Sequence, residues 1–194
     1  MRIAFVDIRN FRKLKQCHID FSNETTVFVG ANNSGKTSAM DALGKFLVKR
    51  NFVFNDITLA NHESINAIGD GWEKEGAKIQ DTFEFLENIN PTLDVWLSVT
   101  NSELQYVSHI IPTLDWKGGN LGVRFMLQPK DTSKLFLEYR ELYFTARLTE
   151  AKNMKNSLML WPNNLCEFIE KRFSSIFVLK AYILDPSKSN DKVP

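Results

Sequence analysis

The sequence contains Gly30-Ala31-Asn32-Asn33-Ser34-Gly35-Lys36-Thr37, which matches the pattern G-x-x-x-x-G-K-[ST]. Gly30 and Gly35 can adopt backbone conformations that other residues avoid, so that successive N–H groups converge on phosphate oxygens. We expect the Lys36 ammonium group to reach the β- and γ-phosphates of a nucleotide, and the Thr37 hydroxyl to complete the coordination of Mg²⁺. The stretch therefore predicts a phosphate-binding loop.

The residues on either side of this loop predict a strand and a helix. Thr25–Val29 is a β-branched and aromatic run, which is typical of a strand buried on both faces. From Lys36 to Arg50 the apolar side chains follow a helical spacing, at Ala39, Met40, Leu43, Phe46 and Leu47. The positive end of this helix would face a bound phosphate. The order of strand, loop and helix predicts a nucleotide-binding core over residues 1–50.

A second signal precedes the loop. The run Ile8-Arg9-Asn10-Phe11-Arg12, together with the Asn-Asn-Ser-Gly-Lys inside the loop, resembles the N-terminus of ABC-type ATPases in the RecF, SMC and OLD (overcoming lysogenisation defect) group. Two later pieces, Asp94-Val95-Trp96-Leu97 and Ala181-Tyr182-Ile183-Leu184-Asp185-Pro186, look most similar to OLD-type, ATP-dependent endonucleases. Many proteins of that type are effectors of phage defence.

The resemblance implies an α/β fold of the P-loop NTPase class and ABC-ATPase type, here its N-terminal lobe, with a mixed sheet and a strand-rich second half. It implies ATP and Mg²⁺ as cofactors. Arg12 would lie beside the nucleotide phosphates, where a guanidinium can hold phosphate through two parallel hydrogen bonds, and Lys13 would follow it. The implied nucleotide-binding residues are Gly30, Ala31, Asn32, Asn33, Ser34, Gly35, Lys36, Thr37, Ser38 and Arg12.

The resemblance also implies a function. Nucleotide-driven association into a homodimer or higher homo-oligomer would control action on DNA, by an ATP-dependent endonuclease in anti-phage defence, with a defence-system protein as a further partner. A second hypothesis is a nucleotide-sensing scaffold that binds ATP without turnover and docks a partner effector. A small-molecule or nucleotide kinase is disfavoured because the sequence has no Arg-rich lid segment.

The magnesium and catalytic residues are less well defined by the sequence. Besides Thr37, the candidate Mg²⁺ contacts are Gln128, after the apolar run 123–127, and Asp56, soon after the predicted helix. ATPases of this group also need an apolar strand that ends in Asp-Glu and a Ser-Gly signature. In the best match for the strand, Asp185 is followed by Pro186 instead of Glu, and Pro112 interrupts the run 110–115. We therefore expect the N-terminal lobe of a longer ATPase-nuclease, with its catalytic groups further along the chain.

Charge is unevenly distributed, although 24 Lys+Arg and 23 Asp+Glu nearly cancel. Residues 1–50 carry nine basic and four acidic side chains, whereas residues 51–100 carry two basic and nine acidic ones. This change in charge, together with weak periodicity, predicts an acidic surface insertion over residues 51–90. We expect the strand-rich remainder of the lobe over residues 91–185 and a mobile polar tail over residues 186–194.

The remaining pattern predicts a mixture of strands and helices. Helical spacing favours a helix over Asn164–Phe173. Runs of β-favouring residues predict strands over Arg2–Ile8, His18–Phe21, Asp94–Thr100, Gly122–Leu127 and Ile176–Leu184, with weaker candidates over Leu135–Tyr139 and Tyr143–Arg147.

Composition excludes several classes of protein. Hydrophobic residues at 43% argue against a disordered chain, and no apolar run approaches the roughly 18 residues that would span a membrane. A net charge of +1 predicts neither a nucleic-acid nor a membrane partner by charge alone. Two cysteines are too few for a disulfide framework, so a cytoplasmic setting is expected. The three histidines are scattered and predict no metal cluster.

Overall fold

The computed structural model of the chain describes residues 1–74, 76–77, 88–111, 116, 118–152 and 160–184. It divides the chain into two compact units. The first unit comprises Met1–Asn51, Pro91–Leu127 and the residues from Leu179, and the second comprises Phe52–Asn90 and Gln128–Val178.

Each helix and strand has defined bounds. The strands are β1 (Arg2–Phe11), β2 (Leu14–Asp20), β3 (Thr92–Ser98), β4 (Asn120–Pro129) and β5 (Phe177–Leu184). The α-helices whose bounds lie within the described residues are α1 (Lys36–Gly44), α2 (His62–Trp72), α3 (Leu104–Val107), α4 (Thr132–Lys152) and α5 (Leu165–Ile176). The strands predicted over Arg2–Ile8, His18–Phe21, Asp94–Thr100, Gly122–Leu127 and Ile176–Leu184 are therefore confirmed, as is the predicted helix over Asn164–Phe173.

The first unit is built on a sheet with the strand order β2-β1-β3-β4-β5. The pairs β1–β2, β1–β3 and β3–β4 are antiparallel. Because neighbouring residues of a strand point to opposite faces, the sheet separates an apolar face from a polar one. The fully or almost fully buried side chains of the apolar face include Val6, Ile8, Leu93, Val95 and Leu121.

The polar face of the sheet contains a buried carboxylate. Asp94 lies on the central strand β3, opposite Asp7 on β1 and Arg124 on β4, and its side chain is 3% exposed. Arg124 donates two hydrogen bonds of 2.7 Å to the two carboxylate oxygens of Asp94, and Arg9 donates a longer one of 3.4 Å. The buried negative charge is thus compensated by guanidinium groups from both neighbouring strands.

The helix predicted after the phosphate loop is confirmed, but it ends in a different geometry. α1 covers Lys36–Gly44 and is followed by a π-helical turn over Lys45–Lys49. Ala39, Ala42 and Phe46 are buried, and the Phe46 ring lies 6.0 Å from that of Phe11 on β1. Met40, which the helical spacing assigned to the apolar face, is 53% exposed.

The strand predicted over Thr25–Val29 is wrong. These residues have no regular secondary structure, and Val27 and Val29 are 72% and 88% exposed. A strand buried on both faces needs a hydrogen-bonded neighbour on each side and a layer packed on each face. The sheet in the described part of the chain consists of β1–β5 and supplies neither to this segment.

The second unit is mainly helical. α2, α4 and α5 supply most of its core, in which Tyr139 of α4 is fully buried and donates a hydrogen bond of 2.6 Å to Glu73. Asn164 begins α5, because its side-chain oxygen accepts the Glu167 N–H at 2.9 Å. The buried apolar side chains of the three helices are Ile65, Ile68, Trp72, Leu135, Tyr139, Ala146, Leu165, Phe168, Ile169, Phe173 and Ile176.

Two strand predictions disagree with the secondary structure of this unit. The weaker strand candidates Leu135–Tyr139 and Tyr143–Arg147 are wrong, because both lie inside α4. Their buried residues Leu135, Tyr139 and Ala146 recur at four and seven positions, which is the spacing of one helix face and not of a strand. Of residues 51–90, predicted as an acidic surface insertion, the structure describes 51–74, 76–77 and 88–90; they include α2, in which Ile65, Ile68 and Trp72 are buried. The insertion stays a prediction. In the described residues no helix is both long and apolar enough to cross a membrane.

Candidate functional site

The loop over Gly30–Thr37 turns through two left-handed residues. Gly35 has a φ angle of 93° and Asn33 one of 69°, in a region that glycine, and to a lesser extent asparagine, can occupy. A Cβ atom at Gly35 would also come within 2.9 Å of the Leu14 side chain. The predicted need for glycine is confirmed at Gly35. Gly30 lies outside the left-handed region, and its constraint is the Ser34 hydroxyl, 3.0 Å from the position of an added Cβ.

The loop leads directly into the N-terminus of α1. Ala39 donates its N–H to the Gly35 carbonyl at 2.9 Å, so the N–H groups of Lys36, Thr37 and Ser38 precede the regular helical bonds. The first turn of the helix contains no acidic residue, and no side chain caps it. These N–H groups and the positive end of the helix favour an anion.

Lys36 lies across its own loop. Its Nζ atom donates to the carbonyl oxygens of Gly30 at 2.5 Å and Ala31 at 2.6 Å, and lies 3.4 Å from the Ser34 hydroxyl. All three acceptors are neutral. A phosphate oxygen would be a stronger acceptor, because its negative charge adds the attraction of opposite charges to a hydrogen bond whose donor is already charged.

A cavity of about 280 Å³ opens beside the loop, and the described residues that line it include two lysines and no Asp or Glu. Thr37 lines the same wall, and the Mg²⁺ contact predicted for its hydroxyl stays a prediction. The structure thus brings together seven of the ten predicted nucleotide-binding residues and adds Lys13. The lining residues are Lys13, Asn32, Asn33, Ser34, Gly35, Lys36, Thr37 and Ser38.

Arg12 lies outside this lining, in the turn between β1 and β2. Its Nη1 atom donates to the Asp41 carboxylate of α1 at 2.5 Å, and its guanidinium group lies 5.3 Å from the centre of the Phe11 ring. Lys13, the next residue, hydrogen-bonds the side-chain oxygen of Asn33 in the loop. The phosphate contact predicted for Arg12 stays a prediction.

The other metal candidates belong to the second unit. Gln128 lies inside β4, and Asp56 is fully buried, where its carboxylate accepts the Val53 N–H at 2.9 Å. Asp56 thereby closes a short 3₁₀ turn over Phe54–Asp56. The roles of Gln128 and Asp56 at Mg²⁺ stay predictions.

The carboxylates that the sequence offered for water activation are outside the described residues. Asp185 is one of them, and the end of the run 110–115 is the other. Within the described ranges, no group of three or more His, Cys, Asp and Glu side chains could hold a metal ion. Cys17 and Cys166 are free thiols.

Two features of the site had no signal in the sequence. Asp41 holds Arg12 from a position 29 residues away, and Asn33 holds Lys13 from 20 residues away. Neither separation along the sequence matches the period of a helix or a strand, so no local pattern indicates these pairs. The folded β1–β2 hairpin and the phosphate loop bring them together. A Lys beside a motif Arg was the one available hint.

Comparison with known proteins identifies the family. Residues 1–193 match AAA_15, a family of AAA ATPase domains. The chain belongs to this family.

Two curated proteins are similar to short parts of this AAA ATPase domain. An uncharacterized protein of Methanocaldococcus jannaschii is 46% identical over 46 residues, which are 24% of this chain and 14% of that protein. The DNA replication and repair protein RecF of Nitrosococcus oceani is 42% identical over 52 residues, 27% of this chain and 14% of RecF. The matched part is thus a small fraction of either relative.

One solved structure aligns with most of the domain. It comes from work described as "Structural biochemistry of ATP-driven dimerization and DNA stimulated activation of SMC ATPases". The alignment covers 87% of this chain and 90% of that one, at 16% identity and a TM-score of 0.37.

Proposed function

We propose that this AAA ATPase domain binds Mg²⁺-ATP in the cavity beside Gly30–Thr37 and belongs to a protein that acts on DNA. The observation that carries the proposal is the composition of the cavity wall. Two lysines, loop N–H groups and a helix N-terminus converge there, and none of the lining residues in the described part of the chain is acidic. Such a wall favours a polyanion, and the loop is long enough to contact successive phosphates of one chain.

The residues present fit the phosphates and the metal ion. Lys36 exchanges its carbonyl partners for phosphate oxygens, and Asn33, Ser34 and Gly35 present the turning backbone. The Thr37 hydroxyl supplies one oxygen ligand, while water and phosphate oxygens supply the others, as Mg²⁺ commonly requires. Mg²⁺, when bound, would neutralise charge on the phosphates.

The action on DNA is the finer part of the proposal. Support comes from the similarity of part of the chain to a RecF named as a DNA replication and repair protein. The run Asn10-Phe11-Arg12 before the loop adds the resemblance to the RecF, SMC and OLD group. On this reading ATP drives two copies together, and the dimer controls action on DNA. An endonuclease step and a role in phage defence rest on the OLD resemblance alone.

The scaffold hypothesis stays as the second candidate because one observation favours it. The described wall of the cavity offers hydroxyls, amides and ammonium groups but no carboxylate to orient an attacking water. A domain of this composition can hold a nucleotide without hydrolysing it, and can report its presence to a partner.

The experiment that tests binding is a calorimetric titration of Mg²⁺-ATP into the chain and two variants. Lys36→Ala is expected to abolish binding or weaken it at least tenfold, since each charge-assisted contact contributes about 1.5–3 kcal/mol. Lys49→Ala is the matched control, because Lys49 is exposed at the end of the same helical segment and outside the cavity.

Both variants are expected to keep the thermal unfolding of the parent chain, because single lysine substitutions away from buried features change stability by about 0.5 kcal/mol or less. Equal ATP affinity in Lys36→Ala and Lys49→Ala would contradict the assignment of the site.

For the dimer, sedimentation velocity with and without Mg²⁺-ATP is the measurement. Nucleotide-dependent dimerisation that is absent in Lys36→Ala is the expected outcome.

A further inference from the structure

The turn between β1 and β2 is fixed at three points, two on the phosphate loop and one on α1. Lys13 hydrogen-bonds the side chain of Asn33, and Leu14 lies against Gly35. Arg12 forms its ion pair with Asp41, one turn into α1. The turn therefore has a defined position relative to the loop, and its tip borders the cavity.

The two cations of the turn have different partners. Arg12 has a left-handed backbone with a φ angle of 50°, and its guanidinium group meets the carboxylate of Asp41. The side chain of Lys13 points to the cavity wall, and its hydrogen-bond partner in the described part of the chain is the neutral amide of Asn33. Among the described residues, Arg12 thus has an anionic partner, whereas Lys13 has a neutral one.

We propose that Lys13 is a second phosphate-binding cation of the site, and that the Arg12–Asp41 ion pair is the device that positions it. The proposal rests on the proposed function, because it adds a contact to the same bound nucleotide. On nucleotide binding, Lys13 exchanges the side-chain oxygen of Asn33 for a phosphate oxygen. Arg12 contributes through the position of the turn.

The energetics favour this exchange. The ammonium groups of Lys13 and Lys36 both rest on neutral oxygens, and the described cavity wall holds no carboxylate that would compete for them. A phosphate oxygen offers each of them a charged partner. Because the partner is phosphate and not the base, the contribution of Lys13 grows with the number of phosphates on the ligand.

The test compares Lys13→Met with Lys15→Met. Lys15 is exposed on β2, two residues from Lys13, and lies outside the cavity wall, so its variant removes an equal charge close to the site. Calorimetry with Mg²⁺ is run with ATP, AMP and inorganic tripolyphosphate, the last of which lacks the base and the sugar. Thermal unfolding of both variants checks the fold.

Lys13→Met is expected to weaken ATP and tripolyphosphate binding about tenfold, which corresponds to about 1.4 kcal/mol, and AMP binding much less. Lys15→Met is expected to bind all three as the parent chain does. Suppose that the parent chain binds ATP and that Lys13→Met binds tripolyphosphate as tightly as the parent chain does. That result would overturn the role of Lys13 and leave the proposed function standing. A parent chain that binds no triphosphate would overturn both.

A double-mutant cycle tests the positioning role of Arg12. Arg12→Ala is expected to weaken ATP more than AMP, because it releases the turn that carries Lys13. In the Lys13→Met background, Arg12→Ala is expected to change ATP affinity by less than about twofold. A change of that size is within the error to which the effects of independent substitutions normally add. Losses that add in full would show that Arg12 has a phosphate contact of its own, and would overturn the positioning role.

Discussion

His18 on β2 lies between two carboxylates. Its Nδ1 atom is 2.7 Å from Asp7 on β1, and its Nε2 atom is 3.3 Å from Asp20. The hydrogen bond to Asp7, with a further contribution from Asp20, raises the pKa of His18 above its ordinary value of 6.5, and partial burial opposes that rise. Folding therefore favours the protonated imidazolium form at this position.

This shift predicts a pH-dependent contribution to stability. Since the pKa is higher in the folded chain, the contribution of His18 is fully present below about pH 6.5 and is lost as the pH rises through the folded pKa. His18 is 43% exposed, so about 0.2–1 kcal/mol is expected.

Urea unfolding of the parent chain and of His18→Gln at pH 6 and pH 8.5 measures this contribution. The difference between the two proteins should be larger at pH 6. His62 shifts the other way, because burial lowers its pKa, and the comparison with His18→Gln cancels its effect. A difference between the two proteins that is independent of pH would contradict the prediction.

At the scale of secondary structure, β3 carries a carboxylate that needs charged hydrogen-bond partners because it is buried. Asp94 is almost completely buried, and Arg124 compensates it with two short hydrogen bonds. Arg124→Met should destabilise the fold by about 1.5–3 kcal/mol, because two short hydrogen bonds to a buried carboxylate are lost and the contact with Arg9 is longer and weaker.

Arg9→Met is the matched control for this prediction. Arg9 contacts the same carboxylate at 3.4 Å and is 37% exposed, so its loss should cost under about 1 kcal/mol. Urea unfolding midpoints of both variants, measured at neutral pH, give the comparison. Equal losses for the two arginines would show that Asp94 is not held chiefly by Arg124.

The sequence predicted elements well where local pattern and tertiary packing agree. Asn164 begins α5 as its residue type suggests, and the spacing of Phe46 and Ala39 follows the helix that was predicted. The failures at α4 and at Thr25–Val29 have one cause. Short runs of β-favouring residues were assigned by propensity, whereas the structure assigns them by which faces find a packing partner.

The candidate site divides in the same way. The loop at Gly30–Thr37 is contiguous, so its chemistry was visible as a pattern of residue types. The contacts of Arg12 with Asp41 and of Lys13 with Asn33 join residues far apart in the sequence. Such pairs depend on how the β1–β2 turn reaches α1, which no local period encodes.

For the whole chain we predict binding of Mg²⁺-ATP without useful turnover. Binding needs the loop and the helix N-terminus, which are present. Hydrolysis also needs a placed carboxylate and donors on the far side of the γ-phosphate, and losing one such group typically lowers the rate by about 10²–10⁴-fold. Phosphate release by the purified chain is the measurement, with Lys36→Ala as the control for contaminating ATPases.

Repeated turnover that disappears in Lys36→Ala would contradict this prediction. It would place a catalytic acid within these 194 residues, and Asp185 and Asp56 would be the first to replace. Binding without turnover would agree with either candidate function. Nucleotide-dependent dimerisation would then favour the DNA-acting ATPase over the scaffold.

The exposure of Thr25–Val29 affects how the protein behaves at high concentration. The segment Thr-Thr-Val-Phe-Val carries no charge and no proline, and its two valines face solvent. Uncharged, β-favouring segments of this kind are prone to pair with copies of themselves and nucleate aggregates. Concentrated solutions of the protein should therefore aggregate through this segment, and the substitution Val27→Lys should prevent that aggregation. Particles that form in the absence of nucleotide and vanish in Val27→Lys belong to this process and not to the proposed ATP-driven dimer.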